Sequence, residues 1–202
     1  GVQVLPVASS FTSVVASLMG SVEFLTHSAE RIGGEPFAPS LLGLDLQCLT
    51  VLERSLLAVK PQEGCGLLLG TGLRTPRLRL VTLWPACNAW EKSDWVNDAL
   101  GDLETRFALD PREQIAAQRW ARVHGLEVLG VCHSHPKTAP EPSTRDCAWA
   151  EPNQLMLILS GMRELRAWWL GADRHPLEIP IEVWENHTYA AKSSHPKSEP
   201  VL

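Results

Sequence analysis

The chain has 202 residues, of which 45% are hydrophobic and 20% are charged. This is the composition of a globular protein with one domain, or with one domain and tails. The formal net charge is −5 and no block of Lys and Arg is present, so the sequence gives no indication of a nucleic-acid partner. The apolar stretches are too short or too interrupted to cross a membrane or to act as a signal peptide.

The cysteines are five in number and form no CxxC pair. An odd number in a chain of this size disfavours a disulfide framework, and the missing pair disfavours a zinc ribbon. The sequence therefore favours a reducing compartment, and we expect a cytoplasmic protein. The oligomeric state cannot be read from it, and a homodimer stays open.

The first part of the chain predicts an extension, a helix and two strands. Residues 1–42 lack a clear period, apart from one helix near 11–30, and we interpret them as an N-terminal extension. Residues 44–61 place leucines at helical spacing up to a proline. Two apolar or alternating runs, 65–70 and 77–84, predict strands. A sheet should therefore begin after the first strong helix.

A long connection follows at residues 85–106 and contains Trp90 and Trp95 among Asn, Asp and Gly. Long ordered loops are often functional. Tryptophans in such a loop either contact a partner or pack against the domain, and the sequence leaves both interpretations open.

The second part of the chain predicts a well-capped helix and then mostly strands. The helix begins with Asp110 as the N-cap and Pro111 in the first turn, with Glu113 placed to complete a capping box, and it ends at Gly125. One strand, a short helix and three further strands follow, at residues 126–135, 143–150, 154–160, 164–171 and 179–184. Because several strands adjoin without a helix between them, we expect an α/β (α+β) fold with a mixed sheet flanked by helices.

Two histidines at the end of one predicted strand suggest a metal site. His133 and His135 point to the same face of a strand, roughly 7 Å apart at the backbone. A loop and a short helix then bring Asp146 within reach. Two imidazoles and one carboxylate would leave the fourth position of a tetrahedral zinc ion open, as in catalytic zinc sites.

Each half of this motif also has an ordinary explanation. Ser143 and Asp146 have the spacing of a capping box, which is the more common meaning of SxxD taken alone. An HxH pair is common by chance, and residues 194–196 repeat the tripeptide SHP with no partner nearby. The joint pattern, HxHP followed by seven residues and SxxD, favours the metal site.

The sequence HSHPKTAPEPSTRD at residues 133–146 resembles the signature of the JAMM, or MPN+, metalloproteases at every fixed position. Upstream, PQEGCGLLLG places Glu63 before a Cys-Gly pair and a short aliphatic strand, as in that family. The resemblance implies a curved, cytidine-deaminase-like MPN/JAB domain. We assign that domain to residues 43–187 and expect a disordered tail at 188–202.

The resemblance also implies the role of each site residue. His133, His135 and Asp146 would bind one Zn²⁺ per chain. Glu63 would act as the general base on the attacking water and return the proton to the leaving amine. Ser143 would donate a hydrogen bond to the oxyanion.

By resemblance, the protein would be a zinc isopeptidase or peptidase that cuts after the C-terminal glycines of a ubiquitin-like or sulfur-carrier protein. Trp90 and Trp95 are then candidates for the substrate surface. Two alternatives remain: a non-catalytic MPN scaffold that binds partners, and a zinc amidase acting on small substrates. The presence of all five site positions argues against the scaffold.

Overall fold

The computed structural model describes residues 38–89 and 107–185, which form one sheet and three helices. The strands are β1 (Leu41–Asp45), β2 (Cys65–Thr71), β3 (Arg77–Ala86), β4 (Glu127–His135), β5 (Gln154–Ser160), β6 (Leu165–Leu170), β7 (Pro176–Ile179) and β8 (Ile181–Trp184). The helices are α1 (Leu46–Leu57), α2 (Pro111–Val123) and α3 (Thr144–Trp149). None of these three helices is long and apolar enough to cross a membrane.

The strands form a single mixed sheet in the order β7-β6-β5-β4-β2-β3-β1-β8. The pairs β1–β3, β1–β8 and β4–β5 are parallel, and the other pairs are antiparallel. The predicted mixed sheet is therefore confirmed. Strand β4 lies in the interior of the sheet, between β5 and β2, so both of its edges are hydrogen-bonded.

The sheet is strongly curved, because consecutive strands occupy its opposite edges. Strands β7 and β8 are separated only by Pro180, yet β7 pairs with β6 and β8 pairs with β1. The backbone N–H of Leu42 in β1 donates to the carbonyl of Pro180 at 3.0 Å. The two edges must therefore approach each other, which leaves the sheet nearly closed.

Helices α1 and α2 cover opposite faces of this sheet. Leu52 and Leu56 of α1 pack in one core cluster with Leu68 of β2. Ala117 and Ala121 of α2 pack in a second cluster with the residues on either side of Leu68. Successive side chains of a strand point to opposite faces, so β2 is apolar without interruption because both of its faces are covered.

Helix α2 begins as predicted, but its capping differs from the prediction in one contact. Asp110 is the N-cap, and its side chain accepts from the backbone N–H of Arg112 at 2.8 Å. Glu113 does not complete a capping box. Its carboxylate instead accepts from Nε1 of Trp84 at 2.8 Å. The side chain of Glu113 is therefore used in a contact with Trp84 of β3 and not at the start of the helix. At the other end, Gly125, with φ of +67°, follows the last residues of the helix.

Two parts of the sheet differ from the sequence-based prediction. The predicted strand at 179–184 is divided at Pro180 into β7, which starts at Pro176, and β8. Strand β1 was not predicted, and it begins at Leu41, inside the segment interpreted as an extension. Both strands are short, and non-local pairing specifies them more than local pattern does. Residues 1–37 of the proposed extension and the predicted tail at 188–202 lie outside the described residues.

Candidate metal centre

The end of strand β4 places His133 and His135 on the face of the sheet that α2 covers. A bulge between β2 and β4 adds Leu129 as an extra residue, so that Leu129 and Cys132 both join the cluster on the α1 face. The two histidines consequently point to the opposite face. Both are buried, with exposed fractions of 0% for His133 and 8% for His135. Cys132 is completely buried in that core cluster.

Asp146 reaches the histidines from the first turn of helix α3. Ser143 is the N-cap, and its hydroxyl accepts from the backbone N–H of Asp146 at 3.1 Å. In return, Oδ2 of Asp146 accepts from the backbone N–H of Ser143 at 2.7 Å. The capping box is therefore formed, and it also fixes the orientation of the carboxylate that faces the histidines.

The three side chains have the spacing that a tetrahedral metal ion requires. The Nε2 atoms of His133 and His135 are 3.0 Å apart. Nε2 of His133 is 3.7 Å from Oδ1 of Asp146, and Nε2 of His135 is 3.7 Å from Oδ2. Ligand bonds of 2.0–2.1 Å at tetrahedral angles separate neighbouring donor atoms by about 3.3 Å. The observed distances bracket this value, so the residues fit a zinc ion.

The two histidine rings are held in different ways. Nδ1 of His135 lies 2.8 Å from the carbonyl oxygen of Ala139, so Nδ1 carries the proton and the lone pair of Nε2 faces the centre. The ring of His133 stacks on Phe107 with centroids 4.4 Å apart. Its buried Nδ1 has no hydrogen-bond partner among the described residues. On the side of the ring away from the centre, His133 is therefore held by packing rather than by a hydrogen bond.

The electrostatics of the centre favour a cation. Burial raises the pKa of Asp146, but the contacts with His133 and His135 outweigh it and hold that pKa well below its usual range. Burial lowers the pKa of His133. It also lowers the pKa of His135, but Asp146, the Ala139 carbonyl and Glu63 together raise it above its usual value. The ionised carboxylate of Asp146 and the neutral imidazole of His133 are the ligating forms of these two groups. The negative charge that raises the pKa of His135 would also favour a bound cation.

Glu63 lies next to the three-residue group without belonging to it. The group whose donor atoms approach within 4.8 Å of one another consists of His133, His135 and Asp146. Glu63 precedes strand β2 by two residues, is 6% exposed, and contributes to the raised pKa of His135. The structure thus brings a buried carboxyl group into electrostatic range of His135.

Other residues at the centre were missed by the sequence analysis. Ser134, Asn88 and Phe107 contact the ligands or the segment that carries Glu63. Asn88 and Phe107 lie at the two ends of the long connection. The sequence analysis identified this connection as a candidate functional loop but assigned no role to these two residues. The burial of Ser134 could have been predicted from the alternation of side chains along a strand. A polar residue between two histidines that share one face must point into the opposite, apolar face. Trp90 and Trp95 lie outside the described residues.

Comparisons with known proteins agree with this geometry. A family model described as prokaryotic homologs of the JAB domain matches residues 46–171. A desampylase of Haloferax volcanii is 25% identical over 178 residues, covering 86% of this chain and 99% of that protein. A desampylase of Pyrococcus furiosus is 33% identical over 78 residues, covering 38% of this chain and only 56% of that protein.

The fold is also found among solved structures. Protein DSY2949 of Desulfitobacterium hafniense superimposes with a TM-score of 0.60 at 25% identity, covering 72% of this chain and 94% of that one. The family match spans more than half of the chain, from the start of α1 to the end of β6. The chain belongs to the prokaryotic JAB family, a branch of the JAMM/MPN+ proteins that its motifs resemble.

Proposed function

We propose that this protein is a zinc-dependent isopeptidase or peptidase that hydrolyses an amide bond after the C-terminal glycines of a ubiquitin-like or sulfur-carrier protein. One observation supports the proposal most strongly. Two buried histidines and an aspartate meet at metal-binding distances beside Glu63, a buried carboxyl group that is not part of the ligand group. A structural zinc site would be closed by a fourth protein ligand and would need no such neighbour.

His133, His135 and Asp146 would hold the ion. A zinc ion bound by these side chains would act as a Lewis acid and lower the pKa of water to about 7. The surrounding protein supports the binding, because the Ala139 carbonyl fixes the tautomer of His135 and the capping box fixes the carboxylate of Asp146. Hydrogen bonds of this kind, made by groups that do not touch the metal, orient the metal ligands and tune their basicity.

Glu63 would move the proton during hydrolysis. Because Glu63 lies outside the ligand group, it can accept a proton from the attacking water without giving up a ligand bond. It can then donate that proton to the nitrogen of the leaving amine, so that the peptide departs as a neutral amine. The second proton of the water stays on the new carboxyl group of the carrier, which releases it to solvent at neutral pH and becomes a carboxylate.

Ser143 would stabilise the oxyanion that forms on the scissile carbonyl. Its hydroxyl oxygen accepts the capping hydrogen bond from Asp146, and a hydroxyl that accepts one bond can still donate its proton to another group. Ser143 is exposed at the helix start, where an entering substrate could meet it. The two roles proposed for this side chain therefore use different parts of the hydroxyl.

The two relatives named desampylase support the substrate class, because this name denotes an isopeptidase acting on ubiquitin-like modifiers. We extend this class to carrier proteins that end in Gly-Gly, whose small residues suit a narrow channel. Trp90 and Trp95 are proposed to line the substrate surface, and the protein is proposed to act in the cytoplasm.

The test is cleavage of defined fusion proteins. The zinc-loaded protein is incubated with each Gly-Gly-ending carrier protein of the host fused at its C terminus to a short peptide, and mass spectrometry identifies the products. We expect cleavage directly after the second glycine. Glu63→Gln should abolish cleavage, whereas the exposed Glu151→Gln should leave it unchanged.

The same assay separates the alternatives. Cleavage of a free Gly-Gly peptide amide, with every carrier fusion left intact, would favour a small-substrate amidase. Intact fusions and intact peptides with the zinc-loaded protein would overturn the enzymatic proposal and favour a scaffold.

A further inference from the structure

Ser134 lies between the two candidate ligands in sequence, but its side chain points to the opposite face of β4. It is completely buried. Its hydroxyl donates to the carbonyl of Leu56 at 3.3 Å and accepts from the backbone N–H of Gly64 at 2.9 Å. Its own backbone N–H donates to the carbonyl of Gly64 at 2.9 Å. One residue thus binds the last turn of α1 and the residue that directly follows Glu63.

These contacts close the segment that carries Glu63. Residues 57–63 run from the last residue of α1 to Gly64, which directly precedes β2. A Cβ atom on Gly64 would lie 2.4 Å from the carbonyl oxygen of Leu56. Only glycine therefore lets the two ends of the segment approach so closely, and the hydroxyl of Ser134 joins both ends.

A second side chain holds the same segment from the other direction. Nδ2 of Asn88 donates to the backbone carbonyl of Glu63 at 3.3 Å, and Oδ1 of Asn88 accepts from the backbone N–H of Ala108 at 3.1 Å. The backbone at Glu63 is thus tied to the segment next to Phe107, which stacks on His133. Two hydrogen bonds and one ring stack therefore connect the backbone of Glu63 to the ring of His133.

We propose that Ser134 is a positioning residue that sets the place of Glu63 relative to the ligands, an inference that rests on the proposed function. His133, Ser134 and His135 are consecutive residues of one interior strand, so no flexible segment separates the ligands from the contact that holds Glu63. The contact needs one donor and one acceptor on a short side chain, and a serine or threonine hydroxyl supplies both.

The experiment compares Ser134→Ala with two other variants. Ser134→Thr keeps the hydroxyl. Ser160→Ala is the matched control, because Ser160 is also buried and accepts two backbone hydrogen bonds, from Met162 and Glu164. The contact of this turn with the segment 57–64, from Nζ of Lys60 to the backbone carbonyl of Gly161 at 2.8 Å, does not use the hydroxyl of Ser160. Zinc content, thermal stability, kcat and KM are measured for each variant at a temperature where it is folded.

We expect Ser134→Ala to bind zinc fully and to lose about 10²-fold in kcat, because a displacement of about 1 Å at a reacting group has this effect. Its KM should change little, and Ser134→Thr should recover most of the lost kcat. A fall in stability with the same kcat as Ser160→Ala would overturn the proposal. If Ser134→Ala does not fold, Ser134→Cys keeps the volume with a weaker donor, and wild-type kcat in that variant would overturn the proposal equally.

A second readout does not depend on the substrate. Amide hydrogen exchange of residues 57–64 should be at least tenfold faster in folded, zinc-loaded Ser134→Ala than in Ser160→Ala. Unchanged exchange would show that Ser134 does not hold this segment. If the wild-type protein cleaves none of the fusions, the proposed function fails, while the exchange result still decides whether Ser134 holds the segment.

Discussion

The two segments that meet at the centre are held in contrasting ways. The base segment, residues 57–64, is fixed by buried hydrogen bonds to the hydroxyl and backbone of Ser134. The ligand segment, residues 136–146, is fixed largely from strand β6. Nε1 of Trp168 donates to the carbonyl of Pro140 at 2.9 Å, and Arg166 pairs with Glu141 at 3.0 Å near the surface.

This difference indicates that turnover and metal binding should respond to different substitutions. A lost hydrogen bond at the buried hydroxyl of Ser134 leaves its polar partners in the backbone without water to replace it. An exposed ion pair in the ligand segment can be replaced by solvent. Changes at the base segment should therefore reduce kcat with the metal retained, and changes at the ligand segment should act mainly on zinc affinity.

Ser143 is the strongest test of this division, because it lies in the ligand segment but is proposed to act in turnover. Ser143→Ala should lower kcat by about 10²–10³-fold, the usual effect of losing an oxyanion donor. It should also lower the free energy of unfolding by about 1 kcal/mol through loss of the N-cap. Steady-state kinetics and chemical denaturation measure the two effects.

The control for Ser143→Ala is Ser143→Asp, which keeps a capping acceptor but has no proton to donate at neutral pH. We expect the stability of Ser143→Asp to be near wild type and its kcat to stay low. Wild-type kcat in Ser143→Asp would leave helix capping as the sole role of this residue.

Phe107 tests how the ring of His133 is held. Phe107→Leu removes the stacked ring, and Nδ1 of His133 has no hydrogen-bond partner among the described residues to hold the ring instead. The zinc dissociation constant should rise about tenfold, the lower end of the range for loss of an outer-shell contact. Competition with a chromogenic chelator measures this constant.

Trp120→Leu is the matched control, because Trp120 also stacks on a histidine, His124, away from the centre. Its zinc affinity should equal that of the wild type. An unchanged affinity in Phe107→Leu would show that the stack does not orient the ligand.

The smallest effect is expected at Arg166, which pairs with Glu141, Glu164 and Glu178 in partly exposed contacts. Arg166→Gln should lower the free energy of unfolding by less than about 1 kcal/mol. The zinc affinity should change less than twofold, because the Trp168 contact remains. A large loss of zinc affinity would show that the ion pairs, and not Trp168, hold the ligand segment.

Local patterns predicted the parts of the centre that follow from local rules. The i, i+2 spacing of His133 and His135 and the SxxD box at Ser143 gave the strand end and the capped helix correctly, because both depend on neighbours in sequence. The role predicted for Glu113 was wrong, because its carboxylate accepts a hydrogen bond from Trp84, which is distant in sequence.

Long-range pairing explains the rest of what the sequence did not predict. Strand β1 pairs with β3 and β8. Its five residues do not alternate between apolar and polar side chains, so no local pattern indicates a strand there. The hydroxyl contacts of Ser134 join residues 70 and 78 positions away. No local pattern encodes which distant backbone a buried serine will meet.

The ligands and Glu63 are proposed to have separate roles. The most direct test measures zinc per chain and turnover in one matched pair of variants. Glu63→Gln should keep one zinc ion per chain and lose turnover. Asp146→Ala should lose the zinc ion, and turnover with it. Full zinc occupancy in Asp146→Ala, or unchanged turnover in Glu63→Gln, would contradict the account.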